Sequence, residues 1–150
     1  MDIKTIQPQW AITHSLQTNL QDLVQHVGDI PQQMLDALQK AGQQPCGPQT
    51  WIYSGCEGDP NANFQLEITL PIADPSLITD KFNIKCLPEF KCISAFNNGP
   101  WDQVGKIYKQ LMAEAELNGL SPTFVSRELY LVCDFENQEN CITEVLLGIL

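Results

Sequence analysis

Apolar residues recur along the chain in two spacings, and the switch between them marks out the elements. From Ile3 to His14 they alternate with polar ones, which places Trp10 and Ile12 on one face of a strand. Gln17 to His26 is polar and reads as loop or a loose helical turn. The spacing then becomes helical: Asp29 suits an N-cap, Pro31 the first turn, and Met34, Leu35 and Leu38 one buried face. Gly42 fits the position just past that helix. Trp51 to Gly55 and Phe64 to Leu70 return to strand character, joined by the Gly-, Pro- and Asn-bearing segment Gly55 to Asn63.

The same order comes again. Phe82 to Phe96 reads as strand interrupted at Pro88, and Asp102 reads as the cap of a helix. The apolar side of that helix is Val104, Ile107, Tyr108, Leu111 and Met112, and Asn118-Gly119 stops it. Arg127 to Asp134 and Cys141 to Ile149 form a closing hairpin, and Ala73 to Lys81, broken by Pro75, links the two sets. The predicted fold is α+β: two strand–helix–strand–strand units with antiparallel sheets, stacked as a sandwich of two small sheets, with helices over one side and a groove between the halves.

The recurrence extends to residue identity. A shift of 77 carries residues 24–72 onto 101–149 with twelve identities and no gap, among them Tyr53/Tyr130, Cys56/Cys133, Glu67/Glu144 and Ile72/Ile149. A shift of 81 aligns Ile3-Lys4 with Ile84-Lys85, and Ile12 with Ile93. Unrelated segments of that length would share roughly three identities. The chain is therefore an internal duplication, with repeats 1–73 and 82–150 in one domain expected to pack about a pseudo-twofold axis.

Composition narrows the partners. The 150 residues are 43% hydrophobic and carry a formal net charge of −10. That surface disfavours direct contact with nucleic acid or anionic lipid and favours a cation or a basic protein partner, although acidity also serves solubility alone. No apolar run of about 20 residues occurs, and Met1-Asp2-Ile3-Lys4 has no signal-peptide character, so a cytoplasmic location is expected. Six cysteines without a Cys-x-x-Cys pair read as thiols and not as a disulfide framework. No phosphate loop, nucleophile elbow or zincin motif is present, and His14 and His26 lack metal-ligand spacing. No cofactor or metal is called for, and no catalytic residue is assigned.

The candidate chemistry lies in strand carboxylates. Glu144 sits in an otherwise apolar strand, and Glu128 shares a strand face with Tyr130. A buried carboxylate costs on the order of several kcal/mol unless it gains donors, a cation or a proton. Glu144 could thus pair with Arg127 or Lys91, bond to Tyr130, or face a ligand. The repeat breaks informatively at one position, where Trp51 stands opposite Glu128. An aromatic face in one half and an acid in the other suit an amphiphilic cation. Further aromatic candidates for the groove wall are Trp10, Tyr53, Phe96 and Trp101, while Tyr108 sits at core spacing with Leu111 and Met112.

Residues 82–150 resemble the second half of the GyrI-like, or AraC-type, effector-binding family. The resemblance rests on Leu87-Pro-Glu-Phe-Lys-Cys-Ile93, Gly99-Pro-Trp-Asp-Gln-Val-Gly-Lys-Ile-Tyr108, Asn118-Gly-Leu-Ser-Pro122, Arg127-Glu-Leu-Tyr130 and Thr143-Glu-Val-Leu-Leu-Gly-Ile149. The first half is similar more loosely, through Lys40-Ala-Gly42, Gly47-Pro48, Trp51-Ile-Tyr53 and Phe64 to Ile72. The resemblance implies a ligand cleft between the halves, with a buried acid at Glu128, Tyr130 and Glu144 beside it, and aromatic walls that receive lipophilic, often cationic, small molecules. Many relatives carry an N-terminal DNA-binding domain, for which there is no room before the first strand here. Relatives that stand alone are associated with ligand sequestration, topoisomerase protection or hydrolysis of reactive small molecules. The expected function is a small-molecule binding protein. The alternatives are a carboxylate/tyrosine hydrolase and an acidic protein-interaction module.

Overall fold

The computed structural model describes residues 2–76 and 79–150; Met1 and the Leu77-Ile78 portion of the expected linker lie outside the described residues. The strands are β1 (Asp2–Ile6), β2 (Gln9–Thr18), β3 (Thr50–Ser54), β4 (Phe64–Pro71), β5 (Asn83–Leu87), β6 (Phe90–Asn98), β7 (Pro122–Val132) and β8 (Ile142–Ile149). The helices are α1 (Leu23–Val27), α2 (Ile30–Lys40) and α3 (Val104–Leu117). None of them is long and apolar enough to cross a membrane.

The α+β class and the duplicated order are as expected, but the two halves do not keep separate sheets. All eight strands form one antiparallel sheet in the order β1-β6-β8-β7-β3-β4-β2-β5. Pairing of β3 with β7 joins the halves edge to edge. The long first strand expected in each half is in fact two, broken at Gln7-Pro8 and at Pro88-Glu89. Proline supplies no N–H to a ladder, so the strand ends and the chain turns there. The leading piece of each repeat then crosses over: β1 pairs with β6 of the second repeat, and β5 with β2 of the first.

This exchange explains the glutamate that the repeats share. Glu144 pairs with Lys4 and Glu67 with Lys85. Lys4 and Lys85 are themselves repeat equivalents, so each glutamate holds the leading strand of the other repeat. Of the roles open to Glu144, ion pairing is the one observed, and Lys4 is the partner in place of Arg127 or Lys91. With lysine side chains 35% and 48% exposed, each pair stabilises by only about 0–1 kcal/mol. Their effect is on register, since a one-residue slip would send the carboxylate to the wrong face.

Both main cores lie on one face of the sheet, the helix face. Met34 and Leu38 of α2 pack on Ile12, Leu66, Ile68 and Leu70. Leu111 and Ala115 of α3 pack on Ile93, Val145 and Leu147. Each fully buried leucine contributes about 1.5–3 kcal/mol. The other face, the open face, carries two smaller clusters without helical members, one around Ala11, Ile52 and Leu87 and one around Phe90, Cys92 and Leu146.

Two expected caps differ in detail. Asp29 precedes α2, but its carboxylate accepts from Gln33 Nε2 at 2.7 Å and caps no backbone N–H. Asp102 lies within a 3-10 turn, Trp101–Gln103, that leads into α3. The stops hold: Gly42 and Gly119 both have positive φ, 78° and 68°. All six cysteines are free thiols.

Gly148 is required by a close approach between β8 and β7. A Cβ there would meet Thr123 Oγ1, the Val125 carbonyl at 2.6 Å and the Phe90 ring at 3.0 Å. Gly148→Ala is expected to destabilise the protein by about 1–3 kcal/mol through overpacking. A lowered urea midpoint with unchanged m-value would register that loss.

Candidate functional site

Trp51 and Glu128 are directly opposed on β3 and β7. Their row across the sheet reads Ala95, Val145, Glu128, Trp51, Ile68, His14. The repeat shifts map this row onto itself end for end, so the pseudo-twofold axis passes between Trp51 and Glu128. Opposed residues in an antiparallel pair project to the same side, here the helix face. Tyr53 and Tyr130, also repeat equivalents, lie two residues to either side of that row. Their hydroxyls meet 3.3 Å apart.

The Glu128 carboxylate accepts three phenolic hydrogen bonds. Tyr130 donates to Oε1 at 2.9 Å, Tyr53 to the same oxygen at 3.5 Å, and Tyr108 of α3 to Oε2 at 2.8 Å. Glu128 is buried, with 8% of its surface exposed. Among the described residues no Lys, Arg or His forms an ion pair with it. Burial pushes its pKa above the ordinary carboxylate value, and the phenols pull it part of the way back. All three phenols are pushed well above the usual tyrosine range, burial first, with the facing Glu128 charge adding at Tyr53 and Tyr108. When ionised, this carboxylate is held by neutral donors alone among the described residues.

Two aromatic pairs flank the carboxylate. Trp51 meets Tyr130 edge to face at 5.1 Å, and its indole N–H donates to Gln49 Oε1 at 2.6 Å. Tyr53 lies against Phe64 with ring centroids 5.6 Å apart. Trp51, Tyr108 and Tyr130 are half-buried and within reach of solvent.

Four of the predicted site residues therefore converge: Glu128, Tyr130, Trp51 and Tyr53. Glu144 does not join them. It is opposite Leu129, one residue out of phase with Glu128, and so projects to the open face. The assembly of Glu128, Tyr130 and Glu144 is not formed, which removes one member of the expected carboxylate/tyrosine set. Phe96 pairs with Glu144 and shares its face. Trp10 has the helix-face parity but lies four residues along β2 from the axial row, about 13 Å at strand rise. Trp101 packs against Phe135 with tilted rings 5.3 Å apart, its indole N–H is buried without a partner among the described residues, and Asn97 donates to the Pro100 carbonyl just before it. Neither Trp10 nor Trp101 hydrogen-bonds or stacks with the Glu128 cluster among the described residues.

Tyr108 is the site residue that helical spacing assigned to the core. It does pack in the α3 cluster, yet its hydroxyl also reaches Ser126 at 3.2 Å. The available signal was a phenol on an otherwise aliphatic helix face, since a buried tyrosine hydroxyl needs a partner.

The sequence matches the GyrI-like small molecule binding domain family over residues 1–150. The chain belongs to this family. Its fold is similar to that of the EcmrR C-terminal domain (TM-score 0.75, 16% identity, 99% of this chain and 96% of that one). It is also similar to SAV2435 bound to tetraphenylphosphonium (0.68, 14%, 100% and 94%). A third likeness is to a hydrolase encoded by lin2189 from Listeria innocua (0.66, 13%, 99% and 91%). No curated protein matches the chain. A GyrI-like domain is a small-molecule binding domain, and the resemblance noted in the sequence is thereby established for the whole chain.

The raised pKa of Glu128 has a stability consequence of definite sign. The folded state holds its proton to higher pH than the unfolded chain, whose value is near ~4.3. Stability from this group is therefore greatest below that value and declines as pH rises through the folded value. Glu128→Gln is expected to abolish that decline. Melting temperatures across pH 4 to 8 for both proteins would check it, and parallel curves would contradict it.

Proposed function

We propose that the helix face binds one lipophilic organic cation on the pseudo-twofold axis. Glu128 supplies the counter-charge, and Trp51, Tyr53, Tyr108 and Tyr130 are the walls. The observation that carries this reading is the buried carboxylate with three phenolic donors and, among the described residues, no ion-pair partner. A cation arriving there recovers charge–charge attraction in a poorly solvated site, and each aromatic face adds ~0.5–2 kcal/mol. The net charge of −10 favours its approach. The likeness to SAV2435 bound to tetraphenylphosphonium supports the same class of ligand.

Binding a cation stabilises the ionised carboxylate, so affinity is expected to rise with pH until Glu128 is fully ionised. Titration calorimetry with tetraphenylphosphonium, and with neutral triphenylphosphine oxide as control, tests the proposal. Glu128→Gln should weaken the cation at least tenfold, which corresponds to about 1.4 kcal/mol, and leave the neutral compound unchanged. Glu144→Gln, on the opposite face, should leave both affinities as they are. Equal affinities of wild type and Glu128→Gln for the cation would refute the counter-charge role.

A further inference from the structure

The open face carries a hollow of about 520 Å³ on the far side of β7 from Glu128. That volume falls in the range of about 300–1,000 Å³ usual for small-molecule sites. Ile52, Leu87, Phe90 and Val125 are among its apolar lining. The residue that distinguishes it is Arg127, which is buried with 5% of its surface exposed. Its guanidinium lies over the Phe90 ring, 4.3 Å from the centroid, and Nη2 donates to the Pro88 carbonyl at 3.3 Å. Nε is buried and has no hydrogen-bond partner among the described residues.

No described carboxylate lies within ion-pair distance of Arg127. Glu67 occupies the same row two strands away, roughly 10 Å at strand spacing, and is engaged by Lys85. Glu89, the other acid lining the hollow, is exposed and forms no ion pair. Lys85 and Lys91 also line the hollow, so three of the eight cationic side chains of a protein with net charge −10 gather here. Burial lowers the arginine pKa, and the Cys92 and Glu67 charges offset that only in part.

We propose that this hollow is a second ligand site, for a small organic carboxylate with an apolar body. The carboxylate engages the Arg127 guanidinium, and the body lies on Ile52, Leu87 and Val125. The planar guanidinium suits a two-oxygen head group, and a carboxylate there satisfies the orphaned donor. The site stands apart from the cation cleft, because Arg127 and Glu128 are adjacent in one strand and project to opposite faces.

The test is methyl NMR of the intact protein with 1-naphthoate, neutral 1-naphthalenemethanol and inorganic phosphate as probes. The expected result is saturable shifts at Ile52, Leu87 and Val125 with naphthoate, at least tenfold tighter than with the alcohol. Arg127→Gln should lose that tenfold preference, and Arg127→Lys should retain part of it. Equal response to acid and alcohol, shifts confined to the helix-face methyls of Ile68 and Val145, or no saturable shift would each overturn the proposal. Should Arg127→Gln fail to fold, the wild-type comparison of acid with alcohol decides alone. Phosphate binding as tightly as naphthoate would refute the role of the apolar body.

Discussion

The five-residue pairing of β3 with β7 is the contact on which the rest of the molecule depends. Neither repeat closes on itself, because each sends its leading strand to the far side of the other. The β3–β7 ladder joins the two four-stranded groups into a single sheet and sets Trp51 against Glu128 on the axis. The exchanged strands then lock the arrangement from outside, through Lys4–Glu144 and Lys85–Glu67. Such weak, half-exposed pairs contribute little stability. Each ties a leading strand at one edge of the sheet to a strand of the other repeat.

A twofold axis makes like residues meet, and the protein departs from symmetry where that would be harmful. Two glutamates on the axis would repel at close range in a poorly solvated place. Tryptophan in one repeat and glutamate in the other yield instead a single acid beside an indole. The flanking tyrosines remain symmetric, and both phenols turn toward the one carboxylate. Tyr108 completes the set from α3, at a position that is Pro31 in the first repeat. Three neutral phenols donate to the carboxylate, and none of them supplies a counter-charge.

Strand alternation gives the sheet two chemically opposite sides at its centre. Along β7, Glu128 faces the helices among phenols, and Arg127 faces the open side over Phe90. They share a backbone yet cannot neutralise each other. Neighbouring strand residues point to opposite faces, and the sheet lies between them. A buried carboxylate and a buried guanidinium thus lie within one residue of each other, and among the described residues neither has an ion-pair partner.

Local sequence determined the element types, because apolar period and stop signals act over a few residues. The helix from Ile30 with its end at Gly42, and the strands Phe64–Pro71 and Ile142–Ile149, follow from that local pattern. The repeat in the sequence was legible because residue identities recur at constant shifts. The break in that repeat falls at Trp51/Glu128, the pair that the β3–β7 ladder sets opposite each other. Sequence could not tell that Pro8 and Pro88 end strands whose leading halves then change partners, since pairing is a long-range choice between edges of similar composition. It could not place Glu144 on the face away from Glu128, because relative register between β7 and β8 depends on hairpin geometry and bulges. Nor could it give Tyr108 its second role, as helical spacing reports which face is buried and not what a hydroxyl at its tip will meet. Those choices were settled by tertiary packing, where a buried polar atom must find a partner wherever the fold brings one within reach.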